Sequence, residues 1–189
     1  MQAIKAYISF IGSNVAKGVK AVGAGFKDLA YLDRAADPEK GQAIYIAKCQ
    51  SCHQADGGGL FTPDQSEYIY PALWGKNSFN DGAGLYRISN IAKYVKYNMP
   101  NGATYDNPQL ADDEAWDVAA FVVAQFRPHI NVPKDWPDIT KKPVDHPFGP
   151  YADAFAEKQH KFGPFKSIVE EQKKREEAGK LKTVAVSKK

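Results

Sequence analysis

Five consecutive residues, Cys49-Gln50-Ser51-Cys52-His53, constrain this chain more than any other stretch. A C-x-x-C-H run is the attachment pattern of a c-type haem: two thiols add to the vinyl groups of one porphyrin, and the adjacent imidazole is delivered to its iron. Both cysteines of the 189-residue chain are spent here, so no disulfide and no spare thiol is left. Two other readings compete. A redox dithiol has no need of the following histidine. Half of a zinc site wants a second ligand pair, and none stands at a suitable spacing.

On the haem reading His53 is the proximal ligand. Candidates for the opposite face of the iron are Met99, a lysine (Lys93 or Lys96), and His129, His146 or His160. Apart from Met1, Met99 is the chain's one methionine, at a helix end where Pro100 halts the chain. By residue type alone a thioether is gap-filling core. Within a C-x-x-C-H domain the better reading is ligation, because sulfur stabilises ferrous iron and raises its potential. A lysine must lose its proton to bind iron. The three other histidines lie in or beyond a proline-rich stretch and read as surface residues.

Charge is uneven along the chain. Residues 1–36 hold five Lys/Arg against two Asp/Glu, residues 37–165 hold twelve against sixteen, and residues 166–189 hold eight against four. A mildly acidic centre that gains two haem carboxylates is a poor surface for nucleic acid. No apolar run approaches the ~20 residues that span a bilayer. Ala6–Ala16 has the length of a signal peptide, but Lys17 and Lys20 follow at once and no clear small-residue cleavage site appears. Haem attachment of this kind takes place outside the cytoplasmic membrane. The expected location is therefore the periplasm or the outer side of that membrane, with the export signal absent from this chain or already removed.

Ile4, Ile8, Ile11, Val15, Val19, Val22, Phe26 and Leu29 recur at threes and fours and predict an amphipathic helix over residues 1–32. Its glycines (12, 18, 23, 25) weaken it. The stripe needs a cover: its own domain, a partner or second copy, or a membrane surface. Asp37-Pro38 opens the next helix as a cap followed by proline, and that helix delivers Cys49. From Gln54 to Gly84 the Gly, Pro, Asn and Asp content predicts loop. A second helix runs through Leu85, Ile88, Ala92 and Val95 to Met99. A third starts at Asp112-Asp113-Glu114 and stops by Pro128, apolar on most sides and so central. Prolines 133, 137, 143, 147 and 150 predict an extended strap, tacked down by Trp136 and Phe148. A short helix is expected within Tyr151–Phe165, anchored by Phe155 and Phe162, and then, over 166–189, a frayed helix running into a charged, disordered tail.

Cys49–His53, Pro71-Ala72-Leu73-Trp74-Gly75, and Met99-Pro100 before a terminal helix resemble the class I c-type cytochromes. The resemblance implies an all-α cytochrome c fold, three main helices wrapped around one covalent haem c. It implies that Pro71 offers its carbonyl to the His53 imidazole, orienting the ring. It also implies that Gly41 and Tyr45 cross Val118 and Phe121. Trp74–Gly84, Asn98-Met99-Pro100 and Glu114–Ala120 are similar to the second haem domain of dihaem thiosulfate dehydrogenases, over about residues 38–128. Those enzymes act at another haem with a cysteine ligand. This chain has one haem motif, so the likeness implies the relay half without the catalytic half.

The expected organisation is a helical extension (1–36), a cytochrome c domain (37–128), a proline-rich strap packed on it (129–165), and a charged, disordered tail (166–189). Cofactor-binding residues are Cys49, Cys52, His53 and Met99, with Pro71 behind the imidazole. Tyr70, Trp74 and Arg87 are candidate donors to the haem carboxylates. The expected function is single-electron transfer between a dehydrogenase, with one for sulfur compounds as the candidate, and an oxidase or another cytochrome. Its variants are an electron-accepting subunit of a sulfur-oxidising complex and a cytochrome self-associated through residues 1–32. Replacing Cys49→Ser together with Cys52→Ser removes covalent haem, read as haem mass lost from the denatured chain; haem that survives denaturation would overturn the attachment.

Overall fold

The computed structural model describes residues 2–19, 26–130 and 135–187. Helix α1 covers Gln2–Ile11. The expected helix over 1–32 does not run through. Ser13 Oγ donates back to the Phe10 carbonyl at 2.8 Å, the chain turns at Gly12, and Gly18 takes φ +83°. An apolar stripe with glycines and no neighbour to cover it has little to hold further turns. The stripe is therefore divided. Ile4, Ile8, Ile11, Val15, Val19 and Phe26 are exposed, whereas Leu29 is buried in the core. Residues 20–25 lie outside the described set, so that part of the expectation, Val22 included, is not reached.

Helix α2 spans Pro38–Lys48, capped by Asp37, whose carboxylate accepts from the Glu39 and Lys40 N–H groups. A single turn, α3 (Gln50–His53), follows directly. The next thirty residues are mostly loop but contain a small hairpin that composition did not suggest. Strands β1 (Leu60–Phe61) and β2 (Tyr68–Tyr70) pair antiparallel, with Phe61 stacked on Tyr68. Helices α4 (Ile88–Asn98) and α5 (Asp112–Ala124) complete the expected set. Glu114 accepts from the Ala111 N–H at 2.8 Å, which closes the first turn of α5 and holds its carboxyl below the usual range.

Helix α5 is the axis of the molecule, packed by both α2 and α4. It buries Ala115, Trp116, Val118, Ala119, Ala120, Val122 and Val123, and each large apolar side chain contributes about 1.5–3 kcal/mol. Its crossing with α2 is tight. A Cβ added at Gly41 would lie 1.9 Å from the Asp117 carbonyl oxygen and 2.9 Å from Phe121 Cβ. Tyr45 packs beside Phe121, ring centroids 5.3 Å apart.

Two buried carboxylates fasten the flanking segments to these helices. Asp117, on α5, receives Arg34 Nη1 and Nη2 at 2.7 and 2.8 Å and the Asp37 N–H at 2.8 Å. Asp145, fully buried, receives Arg87 Nε and Nη2 at 2.8 and 2.6 Å, and the Ser89 N–H and Oγ. Residues 135–156 hold no strand and one short 3-10 turn, Ile139–Lys141. Trp136 Nε1 donates to His146 Nε2 at 3.2 Å, and Phe148 meets the His146 ring edge-on. Pro133 lies outside the described residues. Helix α6 (Glu157–Phe162) is followed by α7 (Lys166–Ser187). The frayed helix expected before the tail runs from Lys166 to Ser187 and is packed at its start. Phe165 and Ile168 are buried, Val169 packs on the core, and Arg175 pairs with Asp153 at 3.4 Å. The charges that make this segment read as a tail follow a first turn whose Ile168 and Val169 meet the core.

Gly41→Ala should destabilise the protein by about 1–3 kcal/mol or more, because the helices must part to admit the methyl group; denaturant titration measures it. A pH effect follows from His146, whose pKa is lowered chiefly by burial, against a smaller upward pull from its bond to the Phe148 carbonyl. Above its unfolded value of about 6.5 the ring is neutral in both states and costs nothing. As pH falls below that value the unfolded chain takes a proton that the folded chain resists, so stability is lost. Amide protection in residues 135–150, taken relative to the intrinsic base-catalysed exchange rate at each pH, should therefore fall as pH drops from about 6.5 to 5, and His146→Phe should flatten that dependence.

Candidate haem attachment site

Helix α2 ends at Cys49, whose N–H donates to the Tyr45 carbonyl at 2.9 Å. The Cys49 carbonyl then accepts both the Cys52 and His53 N–H groups, at 3.1 and 3.0 Å. This single turn brings positions three apart onto one side. Both thiols are half-buried and free, and His53 is buried. Its Nδ1 lies 2.9 Å from the Pro71 carbonyl oxygen. A carbonyl only accepts, so Nδ1 carries the proton and Nε2 keeps its lone pair for a ligand.

The loop after His53 is folded back against the segment that supplies Pro71. Gln54 takes φ +66° and Gly57 φ +63°. A side chain at Gly57 would enter the Trp74 indole, 2.2 Å from its atoms. The Leu73 N–H donates to the Gly57 carbonyl at 2.8 Å, and Tyr45 Oη donates to the Gln54 carbonyl at 2.6 Å. Proximal imidazole and supporting carbonyl are thus held in one piece of structure.

Electrostatics separates the readings of the cysteine pair. Burial pushes the Cys49 thiol up to about 11, with Lys48 pulling it down by less and Cys52 adding to the rise. A redox dithiol works through a lowered pKa. Among the described residues no group of three or more His, Cys, Asp or Glu is placed to hold a metal ion, so no second ligand pair joins Cys49 and Cys52 for zinc. Two separate thiols beside an imidazole with a free Nε2 fit one covalent haem.

The other sequence-stated candidates fall into two groups. Met99 is half-buried at the end of α4, its N–H donating to the Val95 carbonyl at 3.0 Å. Four of its five rivals are engaged, and His129 only through Nδ1. Lys96 is buried, donating to the Leu110 carbonyl at 2.5 Å and paired with Asp112 at 2.7 Å, rather than lying on a solvated face. Lys93 pairs with Asp28 at 2.9 Å. His160 uses both ring nitrogens, towards the Val144 carbonyl and Asp153, beneath a stacked Tyr151. His146 likewise uses both, and His129 Nδ1 meets Asp81 at 2.5 Å. Of the carboxylate-side candidates, Tyr70 stands beside His53, ring centroids 6.3 Å apart. Trp74 packs on Tyr45 and Phe121. Arg87 is committed to Asp145, a partner that lies 58 residues away and leaves no local pattern.

Comparison with known proteins agrees with this geometry. A family model described as cytochrome c matches residues 38–125. A thiosulfate dehydrogenase of Allochromatium vinosum is 42% identical over 128 residues, covering 68% of this chain and 46% of the relative. One of Psychrobacter arcticus is 36% identical over 141 residues, covering 73% and 41%. Among solved structures, the thiosulfate dehydrogenase (TsdBA) of Marichromatium purpuratum in its as-isolated form aligns with a TM-score of 0.58 at 34% identity. That alignment covers 73% of this chain and 28% of that one. The chain thus spans less than half the length of these relatives.

Proposed function

Residues 38–125 are a domain of the cytochrome c family that carries one haem c through Cys49 and Cys52, and on that premise we propose that the chain is a single-electron carrier serving a sulfur-oxidising dehydrogenase. The carrying observation is the His53 Nδ1–H···O=C bond to Pro71 at 2.9 Å. It fixes the tautomer, aims Nε2, and strengthens the ring's donation to iron. Met99 is the sixth ligand on this reading. It is supported by the occupation of its rivals: Lys93, Lys96, His146 and His160 are all held by other partners. When bound, the haem supplies the one-electron couple. His53 and Met99 would hold it at the iron, which would leave no place there for a substrate.

The chain itself is then no enzyme but the relay partner, or a subunit, of one. Its donor would be a dehydrogenase of sulfur compounds, as the relatives' names suggest, and its acceptor an oxidase or another cytochrome. This places it in the periplasm or at the outer side of the cytoplasmic membrane. No helix among the described residues is long and apolar enough to cross a membrane. The organisation that fits is a helical extension (1–36), the haem domain (37–128), a strap laid over it (129–165) and a C-terminal segment (166–189). A second reading is favoured by α1, whose Ile4, Tyr7, Ile8, Phe10 and Ile11 are exposed together. That face would hold the carrier to a membrane surface or to another copy.

The test is the mature protein and its Met99→Ala variant. The parent should show a low-spin spectrum with a sulfur-to-iron absorption band and no rapid carbon monoxide binding when reduced. The variant should lose the band, bind carbon monoxide, and show a lower potential. An unaltered spectrum and potential in Met99→Ala would assign the sixth position to another residue, and rapid full binding by the parent would replace the carrier reading by a sensor or enzyme.

A further inference from the structure

Helix α1 buries none of its residues. Its polar side chains, Gln2, Lys5 and Ser9, recur at threes and fours and so share one side. Ile4, Tyr7, Ile8 and Ile11 follow the same spacing on the opposite side, and Phe10 widens it. These five are 59–75% exposed. They lie outside residues 38–125 and are no part of the cytochrome c domain. A contiguous apolar face of this kind marks a site of contact.

Charge says of what kind. Residues 1–27 carry Lys5, Lys17, Lys20 and Lys27 and no Asp or Glu; Asp28 is the first acid of the chain. The segment is cationic and apolar together, and its complement is an anionic surface with an apolar interior. A bilayer containing anionic lipid is both. Lysine stems let the ammonium groups reach the headgroups while the apolar side sinks to the acyl boundary. Tyr7 and Phe10 are residue types that settle at that depth. No helix among the described residues is long and apolar enough to cross the bilayer, so the contact is with its surface.

Two other covers fit less well. A second copy would have to pair through a helix that ends at the Gly12 turn, whereas a coiled-coil seam needs about three heptads or more. It would also bring together helices with no carboxylate in either to meet Lys5. A protein groove takes a narrow row of anchors. Ile8 and Phe10, two residues apart, stand on opposite flanks of the Ile4–Ile11 line, and so broad a sector lies better on a plane.

We propose that α1 docks this protein on bilayers containing anionic lipid, its apolar side in the interface and Lys5 and Lys17 drawn to the phosphates. The proposal rests on the second reading of α1, as a face that holds the carrier to a membrane or to another copy, and selects the membrane; it is independent of the haem. Further along, the segment is fastened to α4, where Phe26 meets Tyr94 edge-on at 5.9 Å and Lys93 pairs with Asp28 at 2.9 Å. A carrier held this way meets its partners on one surface rather than in bulk.

The test is co-sedimentation of the full-length, haem-loaded protein, checked by intact mass, with vesicles of phosphatidylcholine alone or with about 30% phosphatidylglycerol. The anionic vesicles should bind it about tenfold or more tightly than the neutral ones, a preference largely lost in about 0.5 M salt. Ile4→Glu with Ile8→Glu should abolish binding. Lys5→Gln with Lys17→Gln should weaken it about tenfold or more on anionic vesicles and little on neutral ones. All four residues are exposed, so haem mass and spectrum should match the parent. Equal binding to both vesicles, or full binding by the lysine variant, overturns the proposal, as does a mature mass that lacks α1. Light scattering without vesicles separates the remaining failures. A dimer that ignores vesicles and is dissolved by Ile4→Glu with Ile8→Glu overturns the lipid assignment and keeps the other half of that reading; a monomer that ignores vesicles overturns both.

Discussion

At Gly41 the backbone of α2 comes so near to α5 that no side chain fits between them, the imagined Cβ falling 1.9 Å from the Asp117 carbonyl oxygen. What lies downstream is placed by that crossing. Eight residues later α2 ends at Cys49, and the thiols and imidazole project from the turn that follows. Tyr45, on the same helix, packs against Phe121 and Trp74 while its hydroxyl holds the Gln54 carbonyl. Glycine at one point of contact thus sets how the cofactor-bearing turn sits relative to the central helix.

Outside the three main helices the chain is fixed by buried charge as well as by apolar packing. Asp117 draws in Arg34 and the start of α2, Asp145 joins the strap to Arg87 and Ser89 at the start of α4, and Asp153 collects His160 and Arg175. Such pairings add little net stability over apolar packing, but breaking one leaves a stranded charge. Their effect is to permit one arrangement of the extensions and to penalise slipped ones. Asp145 does more, since its bond to the Ser89 N–H places a negative charge at the N-terminus of α4, where no local side chain caps the helix.

Electron transfer asks for a site that changes little between oxidation states. In the proposed carrier the features that would serve this are restraints on motion: a hydrogen bond that fixes one imidazole tautomer, and a loop whose positive-φ residues press it against the Trp74 indole. The exposed apolar face of α1 is different in kind, and its chemistry is that of a surface awaiting a cover.

The haem motif, the Asp37 cap, the period of α4 and α5 and the stop at Met99-Pro100 were legible from the chain alone, because each depends on residues within a turn or two of one another. The long helix over 1–32 was misread for a related reason: spacing reports which face would be apolar, but not whether anything covers it. The place of Ile168 in the core, the capping of α4 by a carboxylate 56 residues away and the capture of Arg87 belong to the tertiary structure. Buried charges are paired by distance in space, and no local pattern of residue types records which distant segment will arrive beside them.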